Sequence, residues 1–156
     1  MRFLRRTVLV TPLVALAAIT LGLPAVAVGN ANDNAPVITS DGGGATAAVA
    51  VAENSTAVTT VTASDADAGA TLSYAIVGGA DAARFTIGAS TGVLSFVTAP
   101  DFENPTDSGD NNVYDVIVQV SDGAGGIDSQ SIAVAVTAVN DSSPIIMSNG
   151  GAAIAS

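Results

Sequence analysis

The chain has no cysteine, histidine, lysine or tryptophan. Each absence closes a class of chemistry. Without cysteine there is no disulfide staple and no thiolate metal site, so the fold must rely on its core or on bound ions. Without histidine, lysine or cysteine the common general bases and nucleophile partners are missing, and no enzyme is expected. Paired carboxylates remain as one route to glycoside hydrolysis, but they come with no aromatic platform for a sugar. Aromatic residues are themselves scarce. After residue 27 there are only Tyr74, Phe85, Phe96, Phe102 and Tyr114, which leaves valine and alanine to do most of the core filling.

Positive charge is nearly absent outside the first residues. Arg2, Arg5 and Arg6 precede an apolar run from Thr7 to Leu23, and Ala25-Val26-Ala27 follows as a small-residue cleavage pattern. Basic start, short apolar stretch and Ala-x-Ala site together read as a secretory signal over residues 1–27, cut after Ala27. An uncleaved anchor is the alternative, but the run contains Pro12 and is short for a bilayer span. Cleavage leaves Arg84 as the single basic residue against fourteen acidic ones, a formal charge of −13. Such a surface repels nucleic acid and anionic lipid, so neither is expected as a partner. The carboxylates either keep the chain soluble or hold cations; composition alone does not choose.

Alternation with period two runs through the middle of the chain. Leu72, Tyr74 and Ile76 show it, as do Tyr114, Val116, Val118 and Val120, then Ile132, Val134 and Val136. Val58 and Val61, Phe85 and Ile87, and Val93 to Val97 fit shorter strands. Ala45–Ala52 interleaves Thr and Val with Ala, which favours a strand over a helix. Turn clusters fall at Asp41–Gly44, Gly78–Asp81, Gly88–Gly92, Thr106–Asn112 and Asp122–Gly126. About seven short strands with turns at this spacing describe an antiparallel two-sheet sandwich.

Asn32-Asp33-Asn34-Ala35-Pro36 returns 108 positions later as Asn140-Asp141-Ser142-Ser143-Pro144. A repeat of that length is one domain long, so the motifs read as joints between beads. The chain therefore divides into a signal (1–27), a linker (28–36), a domain (37–141) and the start of a second, incomplete repeat (142–156). Oxygen ligands cluster between the joints: Glu53-Asn54, Asp65-Ala66-Asp67, Asp101-Phe102-Glu103, and Tyr114 to Asp122 with its terminal carboxylate. Ca²⁺ takes six to eight oxygens from carboxylates, amides and carbonyls, and a cation relieves the repulsion among crowded carboxylates. Taken singly, Asp65/Asp67 and Asp101/Glu103 are equally well ordinary solvated turn residues.

Taken in order over 32–144, these motifs resemble a cadherin repeat, of the kind also found in bacterial surface and secreted proteins. The fold class implied is all-β, a seven-stranded antiparallel Greek-key sandwich of immunoglobulin-like, cadherin type. The resemblance also implies Ca²⁺ as the cofactor, held at two poles. One pole would use Asn32, Asp33, the Asn34 carbonyl, Asp65, Asp67 and Asp122, with a carbonyl near Gly79. The other would use Glu53, Asp101, Glu103, Asn140 and Asp141. In the family a full joint binds three ions, one of them held only by the linker and the repeat after it; the first pole is the one that meets this requirement within the chain. Where the family's linker opens with Asp, this chain has Asn30 and Ala138, and Ser142 replaces the final Asn of the second linker. The second pole is thereby weakened.

The function implied is a calcium-binding module of an exported or cell-surface protein, in cell adhesion or rigid domain linkage. Its partners would be calcium ions and neighbouring repeats, or another surface protein or glycan. Homophilic adhesion by a tryptophan-anchored strand is excluded, because there is no tryptophan. A carbohydrate-binding or spacer module of a larger secreted enzyme is the competing class, and a truncated fragment the third. An EF-hand beginning at Asp65 fails, because its twelfth position is Ile76. Asp107–Asn112 reads as a flexible hairpin loop with no site in it. Asn54-Ser55-Thr56 fits a glycosylation sequon and carries little weight.

Overall fold

Two long neighbouring strands supply most of the core, in a computed structural model that describes residues 32–141 and Ser143. The expected signal and most of the expected second repeat lie outside those residues. Nine strands are described: β1 (Val37–Ile38), β2 (Thr46–Ala52), β3 (Ala57–Thr60), β4 (Ala63–Ser64), β5 (Ser73–Gly78), β6 (Phe85–Ile87), β7 (Val93–Phe96), β8 (Val113–Ser121) and β9 (Ile127–Thr137). One 3₁₀ turn, Ala82–Arg84, precedes β6. The fold is an all-β sandwich. A four-stranded sheet in the order β2-β9-β8-β5 faces a three-stranded sheet in the order β3-β7-β6, and β1 pairs with β4.

Period-two patterning sets the inner face. Tyr114, Val116, Val118 and Val120 of β8 and Ile132, Val134 and Val136 of β9 are all buried. Phe85, Leu94 and Phe96 meet them from the opposite sheet. Six of the twelve buried hydrophobic residues are valine and none is alanine, so alanine contributes only at the partly buried margin. The few aromatics concentrate in one place. Phe85 and Phe96 stack at 4.6 Å, and Phe96 meets the Tyr114 ring edge-on at 5.1 Å. Such pairs add about 0.5–1.5 kcal/mol each beyond burial.

One pairing departs from the antiparallel expectation. β2 runs parallel to β9 over its whole length, from Thr46 opposite Ser131 to Ala52 opposite Thr137. This register has a consequence for the poles. It brings the end of β2 and the end of β9 out together, so Glu53 emerges beside the segment that leads to Asp141. At the opposite end, the β8–β9 turn at Asp122–Gly126 meets the incoming linker through Asn32, whose amide donates to the Asp122 carbonyl at 3.3 Å. The two joints thus lie at opposite ends of the sandwich.

Val61, expected in a strand, sits between β3 and β4 with its N–H bonded to the Gly92 carbonyl at 2.9 Å. Gly92 has φ +67°, and a Cβ there would collide with the Val61 carbonyl oxygen, so the contact requires glycine. The segment 107–112 is not a hairpin. It ends the crossover from β7 in one sheet to β8 in the other, and buried carboxylates organise it. Asp107 accepts N–H bonds from Gly109, Asn111 and Asn112, each at 3.0 Å. Buried Asp81 spans further, accepting from Ser108 at 2.7 Å and from Asp115 at 2.9 Å. Both carboxylates satisfy backbone donors, those of the loop and that of Asp115 in β8.

Candidate metal centres

At the linker pole, Asp65 and Asp67 follow β4 with an alternating exposure pattern that turns both toward the joint. Asp67 is held by the linker: it accepts the Asn34 backbone N–H at 2.7 Å and the Asn34 side-chain amide at 2.9 Å. These bonds hold its carboxyl below the ordinary range. Asp65 turns one oxygen back to the Asp67 N–H at 2.8 Å. Its other oxygen, Oδ2, is buried and has no hydrogen-bond partner. The same is true of Asn32 Oδ1.

Asp122 is buried at the β8–β9 turn, where Oδ1 accepts three successive N–H bonds from Ala124, Gly125 and Gly126. That leaves Oδ2 facing the linker. A Cβ at Gly126 would collide with Asp122 Oδ2 and stand 3.1 Å from the Asn34 carbonyl oxygen. The missing side chain therefore leaves room where those two oxygens converge. Asp33 is exposed and takes a 3.3 Å bond from the Asn34 amide onto Oδ1.

The Gly79 carbonyl does not belong to this group. Gly79 packs against the Asp115 carbonyl and Val116, seven residues up β8 from Asp122. At ~3.3 Å per residue that is roughly 20 Å away. A carbonyl near Gly79, expected at the linker pole, lies towards the other end, because strand direction decides the pole and motif order does not reveal direction.

At the opposite pole Glu53, Asp101 and Glu103 bring carboxylate oxygens within 4.8 Å of one another. Glu53 is the buried member. Its two oxygens accept the Val139 N–H at 2.6 Å and the Phe102 N–H at 2.7 Å, and these bonds lower its pKa. Asp101 orders the next residues by accepting from the Glu103 and Asn104 N–H groups. Glu103 is shifted upward, first by burial and then by the negative charges of Glu53, Asp141 and Asp101. Asp141 is placed by Asn54, whose amide donates to it at 2.8 Å. Asn54 has φ +63°, a turn conformation that asparagine tolerates. Its place beside Glu53 in the sequence, as a residue type that tolerates this turn, is the signal for that role. Asn140 is exposed and has no described contact with the trio.

Of the expected ligands, the structure gathers Asn32, Asp33, Asn34, Asp65, Asp67 and Asp122 at one end. It gathers Glu53, Asp101, Glu103 and Asp141 at the other. The donor set is hard oxygen throughout, which suits Ca²⁺ and excludes soft-metal chemistry.

Comparison with known proteins agrees with this architecture. The family model described as a cadherin domain matches residues 47–139. Among solved structures, extracellular cadherin domains 1–4 of protocadherin gamma B7 align at TM-score 0.57 and 27% identity, covering 71% of this chain and 26% of that one. The human desmocollin-1 ectodomain aligns at TM-score 0.55 and 26% identity, covering 69% and 21%. Mouse cadherin-23 EC22–24 aligns at TM-score 0.54 and 27% identity, covering 70% and 34%. The chain thus spans about a quarter of the first of these structures. Among curated proteins, none matches.

Proposed function

This chain belongs to the cadherin domain family, and we propose that it is a calcium-binding module of an exported or cell-surface protein, fixing the angle between neighbouring repeats. The observation that carries the proposal is a pair of buried, unpartnered oxygens at the linker pole, Asn32 Oδ1 and Asp65 Oδ2. Burying an acceptor without a partner costs free energy, and a cation bound at this pole would relieve that cost. The convergence of Asp122 Oδ2 with the Asn34 carbonyl adds two further oxygens of the right kind.

The residues that would hold the ion are Asn32, the Asn34 carbonyl, Asp65, Asp67 and Asp122. The second pole would hold a cation through Glu53, Asp101, Glu103 and Asp141, completed by oxygens of a following repeat. Calcium supplies charge neutralisation and a rigid crosslink. The chain's part is to keep loops from different strands within reach, which the parallel β2–β9 register and the β8–β9 turn do. The extracellular assignment rests on the N-terminal Ala-x-Ala pattern; among the described residues no helix is long and apolar enough to cross a membrane.

Calorimetric titration with CaCl₂ tests the reading. We expect binding on the order of 10⁻⁴–10⁻³ M, the range of extracellular modules, with the linker-pole site lost in the double variant Asp65→Asn/Asp67→Asn. Equal heats for the protein and the double variant would remove the linker site from the account.

A further inference from the structure

A cleft of about 310 Å³ opens beside the end of β7, lined by Arg84, Thr98, Asp101 and Asn104, with Phe96 and Tyr114 at its apolar floor. Its size reaches the lower end of small-ligand sites. Arg84 is the only cationic side chain among the described residues. Its backbone is fixed at both ends, the N–H on the Asp81 carbonyl and the carbonyl accepting from Val97, each at 2.8 Å. Its guanidinium makes no hydrogen bond or ion pair with the described residues, although fourteen acidic residues belong to the same chain. The Thr98 hydroxyl and the Asn104 side-chain amide likewise have no hydrogen-bond partner among the described residues.

We propose that this cleft binds a uronic acid unit of a polysaccharide, its carboxylate on Arg84 and its ring hydroxyls on Thr98, Asn104 and Asp101. Three features select that chemistry. A guanidinium forks onto a carboxylate with two parallel charge-assisted bonds, which a neutral sugar cannot offer. Asp101 on the same rim repels a second carboxylate but accepts from a hydroxyl, so the ligand carries one acid group amid neutral donors. A run of acidic peptide side chains fails on that count and meets the net negative surface as well. The remaining polar lining is hydroxyl and amide, from Thr98 and Asn104, which suits the hydroxyls of a sugar ring.

The cleft shares Asp101 with the second pole, whereas Arg84, Thr98 and Asn104 belong to neither pole and no residue of the linker pole lines it. The test is a titration of the protein, followed by NMR or calorimetry at neutral pH, with a galactose trisaccharide whose terminal unit alone is galacturonic acid and with neutral galactotriose as control. We expect the mono-uronate trisaccharide to bind about tenfold more tightly, Arg84→Gln to lose that margin, and Arg84→Lys to keep part of it. Arg84→Gln should leave the melting temperature and the calcium response unchanged, and Asp67→Ala should leave uronate binding intact. Equal affinity for the charged and neutral sugars, an unaffected Arg84→Gln variant, or tighter binding of a triglutamate peptide would each overturn the proposal.

Discussion

Asn34 and Asp67 clasp each other across the linker pole, the backbone N–H of one on Oδ2 of the other and the side-chain amide on Oδ1, at 2.7 and 2.9 Å. The clasp ties an incoming linker to a loop 33 residues further on. It also separates two roles that a single motif hides. The side chain of Asn34 steers Asp67, whereas its carbonyl is the oxygen that converges with Asp122. Replacing Asn34 by Ala should therefore leave most of any calcium-dependent rise in melting temperature. Asp67→Ala should abolish most of it. Equal losses in the two variants would show that the side-chain clasp, and not the carbonyl, makes the site.

Glu103 gives a prediction with two signs. Its carboxyl is pushed upward by burial and by three neighbouring carboxylates, so in the absence of cation its charge is unfavourable. Glu103→Gln should raise the melting temperature in EGTA by relieving that repulsion and should lower the increment gained on adding Ca²⁺. Thermal melts in the two buffers check it. A variant destabilised in both would place Glu103 in ordinary loop packing.

Acid should act on individual pole carboxylates in opposite directions. Asp67 and Glu53 have folded pKa values below their ordinary range, so the stability they contribute is present above about pH 4 and is lost as pH falls through their folded values. Glu103 is raised, so its contribution runs the other way and declines as pH climbs through its ordinary value. In EGTA, Asp67→Asn and Glu53→Gln should each flatten the loss of stability between pH 5 and about pH 3. Melts across that range that superimpose on the unsubstituted chain would contradict the assignment.

Asp81 provides the structural control. Its buried carboxylate accepts from Ser108 and Asp115 and lies outside both groups of candidate ligands. Asp81→Ala should cost about 2 kcal/mol by leaving two backbone donors unpaired, one in the loop and one in β8. The cost, read from denaturant unfolding, should be the same with and without calcium. A calcium-dependent cost would mean that the crossover loop communicates with the ion sites.

Much of the sandwich was legible because one-face burial imposes period two, as at Tyr114–Val120 and Ile132–Val136. The parallel sense of β2 was not. A run of Ala, Val and Thr carries no mark of direction, and its partner lies 85 residues away. The poles were partly legible, since carboxylates at Asp65, Asp67, Asp101 and Glu103 are spaced for shared ligation in extended chain. Gly79 was misplaced because motif order says nothing about which end of a strand a turn occupies. Asp107–Asn112 reads from sequence as a flexible hairpin loop, yet Asp107 accepts three N–H bonds from residues two to five positions later, a local pattern that Asp shares with any exposed turn.

The central claim is that crowded oxygens at the poles form cation sites, and ligand binding to the native state must raise stability. The direct measurement is the melting temperature of the protein in EGTA, in millimolar Ca²⁺ and in millimolar Mg²⁺. The account predicts a clear rise with Ca²⁺, little with Mg²⁺, and loss of most of the rise in Asp67→Ala. Superimposed melting curves in all three buffers would contradict it.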